Sequence, residues 1–111
     1  MLRIEYNDTN LTLADKPTNW GSGVYLYNNE YFTGVIYYYY PNTTQISAEY
    51  EYKNGVFDGR QAEYWPNGKI KGEYFEKYGA FYDSVKQWNE QGVLISHQEY
   101  DNIGNYIRTL I

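Results

Sequence analysis

The sequence predicts an all-β protein, a single meandering antiparallel sheet of stacked β-hairpins. Three observations carry that prediction. Apolar and polar residues alternate with period two, and no stretch shows a convincing 3.6-residue apolar stripe. Asn-Gly steps stand at Asn54-Gly55 and Asn67-Gly68, and Asn-Gly accepts positive φ at both central positions of a tight hairpin turn. The stretch from Tyr52 to Glu76, opened by the first step and divided by the second, recurs on both sides with a period of about 25 residues, and such periods mark arrays.

Residues 1–23 read as a lead-in. Leu2, Ile4 and Tyr6 alternate with Arg3 and Glu5, as a short edge strand would, and Leu11 and Leu13 alternate again. The run Asp15-Lys16-Pro17-Thr18-Asn19 then breaks the pattern, since proline cannot donate to a ladder. Open sheet edges invite unwanted pairing, so this segment is expected to cap the first edge. Residues 24–111 form the repeat domain, with units at about 27–51, 52–76 and 77–100 and a truncated last unit. Tyr27 falls on Tyr52, Asn29 on Asn54, Phe32 on Phe57, Gly34 on Gly59 and Pro41 on Pro66. In the third unit Phe81 takes the place of Phe57, Trp88 that of Trp65 and Gln91-Gly92 that of Asn67-Gly68. Tyr82 to Asn89 fits a strand better than a short helix. Each hairpin alone is marginal, and stacking three or more makes it stable.

Loop length decides the faces. A two-residue turn at Asn67-Gly68 puts Trp65 opposite Ile70 and Glu63 opposite Gly72, with Tyr64, Lys71, Glu73 and Phe75 on the other face. A three-residue loop would slip the register by one and swap the faces of one strand. The Asn-Gly sequence favours the former. In either register both faces carry aromatics and charges, which suits a sheet with no thick core behind it.

Composition agrees. Sixteen Tyr and three Trp dominate the apolar fraction, and Tyr packs its ring while keeping its hydroxyl wet. The formal net charge of −5 disfavours nucleic acid and anionic membranes as direct partners and favours a basic protein; the same charge also serves plain solubility. No cysteine is present, so disulfides and thiolate metal sites are excluded. The N-terminal residues carry no apolar run of signal-peptide length, and a cytoplasmic location is expected.

Catalytic chemistry finds few residues. His97 is the only histidine, has no ligand set for zinc, and reads as a solvated strand residue aligned with Glu49 and Glu73. Glu49, Glu51 and Glu73 fall near one another, and paired carboxylates run glycosidases, but nothing suggests a deep pocket with an apolar wall to raise one pKa, and a charged sheet face is by far the better account of them. Neither an enzymatic activity nor a cofactor or metal is expected. Tyr37-Tyr38-Tyr39-Tyr40 is the most conspicuous run. Tyr39 and Tyr40 align with Tyr64 and Trp65 and read as structural. Tyr37 and Tyr38 align with Ala62 and Glu63, so they are the better interface candidates, since Tyr supplies large contact area at low entropic cost.

Tyr31-Phe32-Thr33-Gly34-Val35, Tyr50-Glu51-Tyr52-Lys53-Asn54-Gly55, Asp58-Gly59 and Tyr64-Trp65-Pro66-Asn67-Gly68-Lys69-Ile70-Lys71 resemble the MORN-repeat-variant family, the antitoxin-like proteins that partner bacterial polymorphic toxins. The likeness spans about residues 24–104. Two departures stand out: Glu30 and Thr43 occupy turn positions where the family has Gly, and the third unit lacks the Asp58-Gly59 step, so its hairpin is expected to be bent or bulged. The resemblance implies a MORN-like sheet and an immunity protein that binds a cognate toxin, a basic protein such as a nuclease, and occludes its active site or substrate path. A generic MORN-like protein-interaction or lipid-headgroup adaptor is the alternative. The partner-binding candidates are Tyr37, Tyr38, Glu49, Glu51, Glu73 and Phe75.

Overall fold

The computed structural model describes residues 1–111. The chain is all-β, with eleven strands in two sheets and no helix. They are β1 (Arg3–Glu5), β2 (Leu11–Leu13), β3 (Tyr25–Tyr27), β4 (Glu30–Tyr31), β5 (Gly34–Tyr39), β6 (Ile46–Lys53), β7 (Val56–Tyr64), β8 (Ile70–Lys77), β9 (Ala80–Trp88), β10 (Leu94–Tyr100) and β11 (Tyr106–Thr109). The larger sheet runs β1-β5-β6-β7-β8-β9-β10-β11, and β2-β3-β4 form the smaller one. From β5 onward every neighbour is antiparallel and consecutive, as a meander requires.

Two features correct the expectation of one antiparallel sheet. β1 joins β5 in parallel, so the large sheet is mixed. The hairpin that opens the first repeat unit, β3–β4, also stays out of the meander. Asn28 and Asn29 both take positive φ and close a tight turn between Tyr27 and Glu30, and the chain then folds over the sheet face. The reason is burial. Ile36 and Tyr52 project from β5 and β6 with little exposure, and Phe32 of the crossing segment packs against them with Ile4. Leu11, Tyr25 and Tyr27 of the small sheet line the same core. The large sheet therefore does have a packed layer behind it, over β1 and β5–β7.

The two ends of the meander use different turns. At one end Asn54-Gly55 and Tyr78-Gly79 form two-residue turns, with positive φ at all four residues. The other end corrects the turn expected at Asn67-Gly68. There the Trp65 N–H donates to Lys69 O and the Gly68 N–H to Trp65 O, closing a three-residue loop over Pro66-Asn67-Gly68. Proline fits the second position of such a turn and Gly68, at φ 88°, its left-handed fourth. Tyr64, not Trp65, faces Ile70, but a bulge at Lys71 restores the register, and Glu63 does face Gly72. The bulged Lys71 ammonium stands 4.8 Å from the Trp65 ring centroid. Asn89 to Val93 repeats this loop, so Asn89 takes the place of Trp65 and Trp88 that of Tyr64; the alignment of Trp88 with Trp65 is off by one. The bulge anticipated in the third unit is shared by the second. Two extra residues bulge from β7 beside Gly59 and two from β9 beside Asp83, both at positive φ.

Bonds between successive turns lace the units together. The Trp65 indole N–H donates to Trp88 O at 3.2 Å, Asn67 Nδ2 to Glu90 O at 2.9 Å, and the Tyr40 hydroxyl to Tyr64 O.

Candidate functional site

Strand register sorts the candidate residues onto faces, because side chains paired across strands share a side. Tyr37, Glu49, Ala62, Glu73 and Lys86 stand in one row across β5 to β9. His97 follows Lys86 in the same row, aligned with the glutamates as expected. Glu51 and Phe75 lie on the same face, opposite Val35 and Arg60. This side is the one the small sheet leaves uncovered. Tyr38 is separated from the group. It projects from the other side, stacks on Tyr6 at 4.6 Å and packs against the core.

The uncovered face carries a chain of ion pairs. Arg3 Nη2 lies 2.9 Å from Glu49 Oε2, Arg60 Nη1 lies 3.6 Å from Glu49 Oε1, and Arg60 Nε donates to Glu73 Oε2 at 2.7 Å. The Tyr64 hydroxyl donates to Glu49 Oε1, so Glu49 is held by three groups. The Arg3 guanidinium also lies 5.2 Å from the Tyr37 ring centroid, and Tyr39 meets Tyr37 edge-on at 5.6 Å. Burial alone would raise the Glu49 carboxyl, but the hydrogen bonds from Tyr64 and Arg3 and the two guanidinium charges outweigh it, and its pKa is lowered. Burial pushes the Tyr64 hydroxyl up, and its bond to Glu49 pushes it further.

Glu51 differs from its neighbours. No cation stands within 4.0 Å of it, and its side chain lies across Gly59. A Cβ at Gly59 would meet Glu51 Oε1 at 2.3 Å, so the missing side chain makes the room. A shallow hollow of about 90 Å³ opens there, lined by Arg3, Val35, Glu49, Glu51 and Arg60. The arrangement is a half-buried lattice of alternating charge bordered by Tyr37 and Phe75.

Sequence reasoning missed Arg3, Arg60 and Tyr64. Arg60 reaches both glutamates because it projects from β7, the strand between theirs, at the bulge beside Gly59 and two residues from Ala62 of their shared row. The available signal was the Asp58-Gly59 step itself, read as a repeat marker and not as a bulge. Comparison with family models, curated proteins and solved structures finds no match to the chain.

Proposed function

We propose that the chain is an immunity protein that binds a cognate toxin domain through the uncovered face of its large sheet and blocks the toxin's active site or substrate path. The observation that carries this reading is the pre-paired lattice Arg3–Glu49–Arg60–Glu73, held on rigid strands and left open beside Tyr37, Glu51 and Phe75. Such a surface pays little ordering entropy on docking. Its resemblance to MORN-repeat variants gives the role its specific form. The action is stoichiometric binding in the cytoplasm, without catalysis or cofactor. The net charge of −5 steers a basic toxin at long range, while the lattice meets a partner surface of mixed charge at contact.

The test is co-expression with a toxin-like domain encoded beside this chain. A stable complex and protection of the host are expected, and both weaken in Tyr37→Ala/Phe75→Ala and in Glu51→Arg variants that keep the native circular dichroism. Absence of complex and of protection would sink the reading. Retention on anionic vesicles at physiological salt would support the adaptor alternative instead.

A further inference from the structure

The opposite face of the large sheet is only half covered. The core that joins the two sheets involves β1, β5, β6 and β7, and the side chains of β8 to β11 on that face extend beyond it. Those strands carry a continuous ladder of rings. Tyr74 meets Phe81 at 5.4 Å, Phe81 meets Tyr100 at 5.7 Å and Tyr100 meets Tyr106 at 5.9 Å. Tyr74 and Tyr100 are half-buried, while Phe81 is 39% and Tyr106 57% exposed. A hollow of about 420 Å³ lies beside Phe81, between the turn at Tyr78-Gly79 and the turn at Asn102–Gly104, with Ile103 and Tyr78 on its rim.

The charge in register with this ladder is acidic; the cation that lines the hollow, Lys77, lies over the Tyr78 ring, 5.5 Å from its centroid. Glu76 pairs with Phe81 across β8 and β9 and shares its face. It is half-buried, makes no ion pair and has no hydrogen-bond partner among the side-chain bonds of the structure. Glu63 stands on the same face, engaged by the Tyr50 hydroxyl at 2.9 Å. In contrast with the lattice on the other face, no Lys or Arg is in register with these rings: Lys77, Lys86 and Arg108 pair into rows of the opposite face. Lys71, which bulges out of these rows, is engaged by Trp65 at the far end of the strands.

We propose that the Tyr74–Phe81–Tyr100–Tyr106 ladder with Glu76 is a second docking surface, and that its occupant is an extended protein segment bearing lysine or arginine. The rings supply π faces for a cation and for its aliphatic stem. Glu76 supplies the counter-charge at the inner end, where a desolvated carboxylate without a cation gains most from receiving one. Four strands at about 4.8 Å spacing span roughly 14 Å, which an extended segment of four or five residues crosses. The segment therefore runs across the strands, from Glu76 toward the exposed rim at Tyr106. Burial raises the Glu76 carboxyl, so binding weakens on acidification at a pH above the ordinary carboxylate range. The surface is independent of the toxin-binding face and is tested without any toxin.

The probe is a fluorescein-labelled seven-residue peptide of alternating Lys and Thr, titrated by anisotropy against the whole chain, with an alternating Glu and Thr peptide as control. Saturable binding of the basic peptide only is expected. Glu76→Gln removes the charge contact and weakens binding about tenfold. Tyr106→Ser, at an exposed ring, also weakens it and leaves the thermal midpoint nearly unchanged. Tyr31→Ser, at an exposed ring of the small sheet, leaves binding unchanged. Absence of binding, equal binding of the acidic peptide, or indifference to both ladder substitutions would overturn the proposal. So would a concentration-dependent dimer in light scattering that Tyr106→Ser abolishes, since the occupant would then be a second copy of the chain.

Discussion

Gly59 shows how one residue shapes the charged face. Its φ of +115° lies outside the region that side chains tolerate, and a methyl group there collides with Glu51. Gly59→Ala is expected to cost about 1–3 kcal/mol in urea unfolding. Glu51→Ala in the same chain removes the collision but not the backbone strain, so it restores part of the loss; full restoration would show that φ carries no penalty. Asp83 fills the equivalent bulge at φ 64°, where aspartate is tolerated. Two carboxylates act on stability with opposite sign. Glu49 is lowered in the folded state, so its contribution is present above the ordinary carboxylate pKa and lost as pH falls through the folded value; Glu49→Gln should flatten the acid side of the stability profile. Glu76 is raised, so its folded form is most favoured below the ordinary pKa of about 4.3 and loses ground as pH climbs. Glu76→Gln should raise the thermal midpoint at neutral pH, with the gain fading in acid. Equal shifts at both pH values would contradict that assignment.

Among the elements, the segment that crosses between the sheets matters most for stability. Phe32 is 2% exposed and touches Tyr27 and Tyr52 edge-on. Phe32→Ala should cost about 3–5 kcal/mol, whereas Phe81→Ala, at a half-open ring, should cost far less; comparable losses would mean that the ladder is structural. Much of this level was legible in the residues. Alternation located β5 to β10, and Asn54-Gly55 closes the tight turn its sequence prescribes. Asn67-Gly68 misled because Pro66 ahead of it selects a different turn, and the bulge at Lys71 conceals the difference from strand pairing farther along. The small sheet was hidden for another reason. Asn28-Asn29 mimics the repeat locally, and only the need to cover Ile36 and Tyr52 folds that hairpin over the face. Of the candidate site, the shared face of Tyr37, Glu49, Glu51, Glu73 and Phe75 follows from register, while the arginines that join them depend on bulges and on β1, which composition does not reveal.

For the molecule as a whole, the two faces differ in kind. One is an arginine–glutamate lattice open to solvent, the other an aromatic layer half covered by the small sheet. β1 contributes to both, through Arg3 on the lattice and the buried Ile4 in the core, while protecting the edge of β5. Ile4→Asp should release β1, since a lone buried charge is costly, and free a strand edge for pairing. Size-exclusion chromatography should then show concentration-dependent association absent from the unmutated chain; a variant that stays monomeric while β1 is released would show that this edge is safe without its cover. The parallel pairing also has a kinetic consequence. The hairpins of the meander close between near neighbours, as Lys53 does with Val56, whereas Arg3 must wait for Val35 across the entire small sheet. Local pairs close first and distant ones later, because loop-closure entropy must be met before a long-range contact forms. Folding should therefore finish at β1, and refolding chains should pass through a state in which the meander is complete but the lattice still lacks its outermost arginine.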